Sequence, residues 1–457
     1  MKEIKDNTKT ELFERAPVGR ALAKMALPAI ASQLITLVYN VADTWFIGRV
    51  NNPYMVAASS LCLTVFLMTI AISTLFGTGG GSLVVRLLGA RQEDEARKVA
   101  SYSLVMAALF SIAFSLLCFV FRDPLLYALG ASEMTIGYAR SYLLYVVVLG
   151  TLPTVLANTM SSILRNVGYS AQASFGLSMG GVLNILLDPL FMFVLLPKGQ
   201  EVTGAAIATM LSNVISFLYF VLCYLRLKEK TILALPRRLE KIEKNSRRTV
   251  YLVGIPAALG LLFFDICNIT INRLTAGHGD LQLAAIGIVL KAERLSLNTN
   301  IGICLGMMPL VSYNYASGNH RRMKSFFTAS RRAGLVIAFL SMILYYALAP
   351  ALMRAFIEDA ETVAYGTEFL RARCFAPPFM FLSFHMVNYM QAIGMGKESF
   401  YLIVIRQLVL NIPMLFLLNH LFGMTGIIWT QVIADFFNVI ASYVIYFKTG
   451  ADFRESV

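Results

Sequence analysis

Charge is scarce in this chain. Of its 457 residues only 14% are Asp, Glu, Lys or Arg, where a soluble domain carries about a quarter. The deficit is matched by 57% hydrophobic residues and a mean hydropathy of +0.67, which makes lipid rather than water the expected solvent for much of the surface. Paired cysteines are missing too. Cys62, Cys118, Cys223, Cys267, Cys304 and Cys374 sit singly in apolar runs, a pattern that offers no zinc or iron–sulfur framework and suits small buried side chains. The four histidines, His278, His320, His385 and His420, show no ligand-like spacing, so no metal or other cofactor is expected. The opening stretch MKEIKDNTKTELFERAPVGR has no small-residue cleavage site, and a removable signal peptide is not expected there.

What is present in abundance is apolar runs of roughly 20 residues, the length a membrane helix needs. Twelve are predicted: 21–47, 55–83, 99–121, 138–163, 171–196, 203–225, 249–272, 283–310, 327–349, 368–393, 400–420 and 424–447. The fold class that follows is an all-α polytopic membrane protein. The net charge of +13 reports orientation rather than a nucleic-acid partner. With a cytoplasmic N-terminus, 29 Lys and Arg fall on inner segments and 8 on outer ones, the bias expected when both termini are cytoplasmic.

The longest polar interruption, YLRLKEKTILALPRRLEKIEKNSRRT, falls at mid-chain. A shift of 228 residues across it superimposes Pro28 on Pro256, Asn40 on Asn268 and Ala57 on Ala285. TGAAIAT from Thr203 meets TGIIWTQ from Thr425 at a shift of 222. Nearly constant offsets imply a six-plus-six duplication with parallel repeats. The expected organisation is a cytoplasmic arm 1–20, an N-terminal lobe 21–225, a cytoplasmic connector 226–248, a C-terminal lobe 249–447 and a cytoplasmic tail 448–457. Two matched lobes enclose a cleft, and glycine or proline in LFGTGGGS, YVVVLGTLPTVLANT, LNILLDPLFMF and CFAPPFMF breaks the helices around it or lets them approach closely.

Carboxylates inside the spans are the sharpest signal. Glu293, flanked by Lys291 and Arg294, is expected to balance their charge, and Asp435 on the last span suits helix pairing. Asp43 and Asp188 differ, because no basic residue accompanies either. Tyr39 and Asn40 precede Asp43, and Asn184 precedes Asp188, at helical spacing. A charged group in hydrocarbon costs about 3 kcal/mol on insertion scales. Such a carboxylate is expected to face a cavity and to hold a proton or a cation for much of its time, which is the chemistry of H⁺ or Na⁺ coupling. Asn184 and Thr209 are placed to add neutral oxygens, although hydrogen bonding to neighbouring helices is the plainer alternative. Asp265 is the second-half candidate for the cleft. His385 joins it as a residue that either titrates or packs. The many Phe, Tyr and Met side chains would accept flat lipophilic cations in such a cleft.

Taken together, Pro28 with VYNVADTWFIG, GTGGGSLVVRLLGAR, SSILRNVGYS, NILLDPLF and GAAIAT make the chain resemble the multidrug and toxic compound extrusion (MATE) family, bacterial branch, over essentially its full length. The resemblance implies two pseudo-symmetric six-helix bundles in a V, working as an antiporter that exports organic cations against H⁺ or Na⁺ from the plasma membrane as a monomer. It implies that Asp43 and Tyr39 match the first-span pair, and that Asn184, Asp188 and Thr209 match the polar ion site of the first lobe. Asp265 approximates the acidic seventh-span position of the sodium-coupled branch. The span-ten aspartate of that branch is replaced here by Phe384 and His385, which shifts weight to the first lobe. The rival readings are a flippase for lipid-linked substrates, which would need a basic cleft, and a membrane-embedded enzyme, for which no nucleophile or metal constellation is present.

Overall fold

The computed structural model describes residues 11–50, 52–235 and 241–451. The start of the predicted arm, the middle of the connector and the end of the tail lie outside the described residues. Helices account for nearly all of the rest, as they must where lipid offers no partner for a free backbone N–H or C=O. In chain order they are α1 (Val18–Gly48), α2 (Pro53–Gly89), α3 (Glu93–Val120), the bent pair α4 (Ile136–Leu149 and Thr151–Asn166), α5 (Ser170–Leu195), α6 (Glu201–Leu227), α7 (Lys244–Ala276), α8 (Asp280–Ala316), α9 (His320–Arg354) and α10 (Ala360–Arg373 with Ala376–Ala392). A final run, Gly396–Lys448, spans 53 residues. At 1.5 Å per residue that is about 80 Å, more than twice a bilayer core. It is broken at Gly423, whose φ of 58° and ψ of −137° are not helical, so it supplies α11 (396–422) and α12 (424–448).

Local chemistry sets the breaks. Asn52 caps α2 by accepting from the Tyr54 and Met55 amides, with Pro53 in the first turn. The two halves of α4 meet at 42° beside Gly150, in the segment whose glycine and proline predicted a break. Beyond Pro189 the helix widens into a π-helical turn, Leu190–Leu195, as expected where a proline removes a donor. Among the described residues nine helices, or ten with the α4 pair, are individually long and apolar enough to cross a membrane. The twelve predicted spans are recovered when Gly423 divides the last run and α10, interrupted at Cys374–Phe375, is counted.

The spans form two lobes, α1–α6 and α7–α12. At the end remote from the connector each has its own core: Ile47, Met55, Leu126, Val146 and Val202 in the first, Ile271, Ile286, Met353, Phe369 and Ile428 in the second. At the connector end one core draws on both lobes, uniting Met25 and Val85 with Met307, Phe326 and Tyr389. The lobes therefore meet at the connector end and separate at the other. The seam is close: a Cβ on Gly254 of α7 would strike the Leu75 carbonyl of α2, and Gly302 and Gly306 of α8 lie against Ile30 and Ala26 of α1. Small residues let helix backbones approach this tightly where no hydrophobic effect drives association in lipid.

A single turn before α1, Glu11–Arg15, ties the seam together. Phe13, 1% exposed, stacks on Tyr313 of α8 at 4.8 Å and touches Gly168 of the first lobe. One Glu14 oxygen accepts from Arg91 of the first lobe and from Tyr313 of the second, each at 2.6 Å. The Phe13 carbonyl accepts from Asn314 and Arg322. Truncating Phe13 to Ala should remove a buried ring worth about 3 kcal/mol and loosen this end. Spin labels at exposed Arg97 and Ser325, one per lobe, should then report a longer and broader distance distribution. An unchanged distribution would show that the turn does not hold the lobes.

Candidate ion and substrate sites

The inner face of α1 and the seam face of α1 diverge. From Ile30, steps of three and four residues lead along the seam face to Leu37, Asn40 and Thr44, of which Asn40 and Thr44 are exposed. Asp43 and Tyr39 are turned from Asn40 by about 60° and 100° round the helix, and the Tyr39 ring packs on Gly181 of α5. They thus enter the interior of the first lobe, while Asn40 faces the gap between lobes.

Opposite Tyr39 and Asp43, α5 carries Asn184 and Asp188, 2% and 0% exposed. The Asn184 amide nitrogen donates to Asp188 Oδ1 and to Thr209 Oγ1 of α6, both at 3.2 Å. Asp43 and Asp188 lie within electrostatic range of each other, as do the Tyr39 and Tyr142 phenols of both. Three oxygens here are buried without any hydrogen-bond partner: Asp43 Oδ1, Asp188 Oδ2 and Asn184 Oδ1. Neither aspartate forms an ion pair among the described residues. Buried polar atoms are nearly always paired, so three acceptors left without a donor in this part of the lobe are chemically suited to a proton or a hard cation, both of which oxygen ligands satisfy. The sequence grouping of Tyr39, Asp43, Asn184, Asp188 and Thr209 is assembled by the fold. Tyr142 was missed, because nothing in its local sequence sets it apart from the other tyrosines.

The second lobe treats its carboxylates differently. Asp435 of α12 takes a two-pronged contact from Arg406 of α11 at 2.6 and 3.2 Å and a further bond from Gln431; the Phe384 ring covers the guanidinium at 4.6 Å. Asp435 is thus a helix-pairing residue, as expected, with its arginine on the neighbouring helix. Glu293 of α8 takes a similar contact from Arg373 of α10 at 2.8 and 2.9 Å. This corrects the expectation that Lys291 and Arg294 compensate it: at two residues before and one after, both point to other parts of the helix surface. No sequence signal could pair residues 80 apart.

Asp265 and His385 are not brought together. Asp265 follows Gly254 by eleven residues on the same face of α7, half-exposed beside the gap and within electrostatic range of Arg294. His385 is 1% exposed, bonded through Nε2 to Ser330 Oγ at 2.8 Å and packed on Phe327 and Phe381. Of the two roles open to it, the structure places it in the packing one, away from the cleft. A separate cavity of about 220 Å³ between α3, α4 and α6, lined by Leu104, Met160 and Phe217 among others, is wholly apolar and offers nothing to orient a charged molecule.

Known proteins share this architecture. Multidrug export protein MepA of Staphylococcus saprophyticus is 27% identical over 435 residues, 95% of both chains, and that of Staphylococcus aureus is 28% identical over the same share. A solved outward-facing multidrug resistance MATE family transporter of the MOP superfamily superimposes with a TM-score of 0.90 at 22% identity, over 98% of this chain and 99% of its own. A MOP superfamily transporter from Pyrococcus furiosus, described as having a binding pocket of reverse polarity, does so at 0.89. The MatE family model matches twice, at residues 28–190 and 256–417. The starts of the two matches are separated by the same 228 residues as the internal repeat, and together they cover well over half of the chain, which belongs to the MatE family.

Proposed function

We propose that this protein is a secondary active multidrug exporter that expels lipophilic organic cations in exchange for H⁺ or Na⁺ bound among Asp43, Asn184, Asp188 and Thr209. Membership of a transporter family and the names of the MepA relatives support export. The observation that carries the coupling site is the set of three partnerless buried oxygens around Asp43 and Asp188, which form no ion pair among the described residues. The Lys and Arg distribution supports a cytoplasmic connector in the plasma membrane; the closed seam then lies on the cytoplasmic side and the gap opens outward. Ion site and cleft are both complete within one chain, which supports a functional monomer.

In this reading the outward-open form takes up a cation at Asp43 and Asp188, relieving the repulsion between two carboxylates that share a dry site. Substrate then leaves the cleft, the lobes rock, and the ion is released inward. A ligand shifts such an equilibrium only as far as it prefers one state, and each inward charge draws about 2.3 kcal/mol per 100 mV from the membrane potential.

Efflux of ethidium from proteoliposomes under an imposed proton or sodium gradient tests the proposal. Asp188→Asn and Asp43→Asn should each lower gradient-driven efflux at least tenfold, because an amide holds neither a proton nor a cation in that position. Undiminished efflux in the double variant would remove the site from the mechanism. The fuel can be read separately. Trp45 is two residues from Asp43, and the only other tryptophan is Trp429. In a Trp429→Phe background, emission of Trp45 should respond to Na⁺ at fixed pH if sodium is the coupling ion, or to pH alone if it is the proton. The response should vanish in the Asp43→Asn, Asp188→Asn double variant; a response that survives there would come from another site.

A further inference from the structure

The outward gap has a charge pattern that an exporter of simple monocations does not require. On α8 the face that packs against α1 at Gly302 and Gly306 continues outward, in steps of three and four residues, through Asn298, Leu295, Lys291, Ile288 and Ala284. All of these are exposed or half-exposed, in contrast to Gly302 and Gly306, which are buried against α1. Arg294 lies one turn from Lys291 and is exposed as well. On α7 the face that packs on α2 at Gly254 continues through Leu261 to Asp265. Among the described residues the charges on this wall are Asp265, Lys291 and Arg294. Glu293 and Arg373 neutralise each other behind it, and Asp43 and Asp188 face the interior of the first lobe.

Lys291 stands eleven residues into α8, about 16 Å from its outer end, well inside a hydrocarbon layer roughly 30 Å thick. A cation at that depth is costly and marks a substrate path by default. Among the described residues neither Lys291 nor Arg294 makes a hydrogen bond or ion pair, and Asp265 is close enough to offset only one of them. Two cations three residues apart on a helix repel each other, an arrangement that an oxyanion between them reverses. The guanidinium fork and the ammonium are the usual recognition groups for carboxylate and phosphate. On the same wall Leu295 of α8 and Leu261 of α7 are exposed and supply apolar surface.

We propose that Lys291 and Arg294 form an oxyanion-binding subsite in the cleft, so that the preferred cargo is a zwitterionic amphiphile, carrying a carboxylate or phosphate group in addition to its cationic, lipophilic body. The inference deepens the exporter reading and rests on it. The subsite also supplies the basic cleft that a lipid-transporting relative would need, so the source of the oxyanion is part of the test.

Rhodamine 19 and rhodamine 6G share one cationic ring system and differ in that the first has a free carboxylate and the second its ethyl ester. Their affinities for the purified full-length protein in detergent, measured by fluorescence polarisation, need no ion gradient and so stand apart from the coupling test. Wild type should prefer rhodamine 19. The Lys291→Gln, Arg294→Gln double variant should lose about tenfold of that preference, Asp265→Asn should increase it, and the Lys291→Arg, Arg294→Lys swap should keep it. Both basic residues are exposed, and retention of the preference by the swap separates lost charge from lost fold. An equal affinity ratio in wild type and the double glutamine variant, or a wild type that binds only the ester or neither dye, would overturn the subsite. A normal ratio without gradient-driven efflux would strike the exporter reading alone. Displacement of rhodamine 19 by lysophosphatidylglycerol at lower concentration than by unlabelled dye would assign the subsite to a lipid phosphate; the reverse order would assign it to soluble zwitterions.

Discussion

A bilayer supplies no counter-charge, and every ionised side chain below its surface must find one in the protein, face water, or hold an ion. That constraint organises the polar interior of this molecule. The second lobe meets it with two arginine–carboxylate pairs, Arg406 with Asp435 and Arg373 with Glu293, each made by both prongs of the guanidinium. Buried pairs of this kind add little net stability, but removing one member strands the other. They therefore fix how α11 meets α12 and how α8 meets α10. The first lobe has no such pair around Asp43 and Asp188, and its unmet demand is the physical basis for placing the coupling ion there.

The asymmetry also bears on the cleft. With its carboxylates turned inward, the first lobe offers the gap mainly neutral groups, Asn40, Thr44 and Met68. The second lobe presents the charges. Two parallel repeats that began with one sequence have thus divided the work, one lobe for the proposed ion and the other for the charged part of the proposed cargo. Asn40 is matched by Asn268 under the 228-residue shift, whereas Asp43 has no counterpart: the aligned residue is Ile271, 2% exposed in the core of its lobe.

How much of this was legible in the sequence depended on the range of the interaction. Apolar runs, the repeat and the break at Gly150 are local, and they were read from local patterns. So was the grouping of Tyr39 with Asp43 and Asn184 with Asp188, since each pair is four residues apart on one helix. The proline in span five was read as a disturbance, but not the π-helical form it takes after Pro189. Pairing across helices was not legible. Glu293 has two basic neighbours in sequence and is served by neither, and Arg406 lies in a run where nothing marks it as a partner for a residue one hairpin away. His385 illustrates the same limit from the other side, because its packing against Phe327 and Ser330 depends on α9, a helix that ends before α10 begins. The tie from Glu14 to Tyr313 crosses 299 residues, beyond any reading of spacing.

One helix links the separate functions. Along its seam face α1 gives Ala26 and Ile30 to the contact with α8 and, farther out, Asn40 and Thr44 to the gap; its other face gives Tyr39 and Asp43 to the proposed ion site. A change in charge at Asp43 acts on a segment that is at once the wall of the cleft and a continuation of the seam. Because the α8 partners at the seam are glycines, contact there is backbone against backbone, and a helix so held cannot shift by rotating a side chain out of the way. It shifts as a body or stays. Coupling between ion and cargo then needs no relay of intermediate residues, since an ion on one face of α1 and a substrate on the other bias the same rigid element.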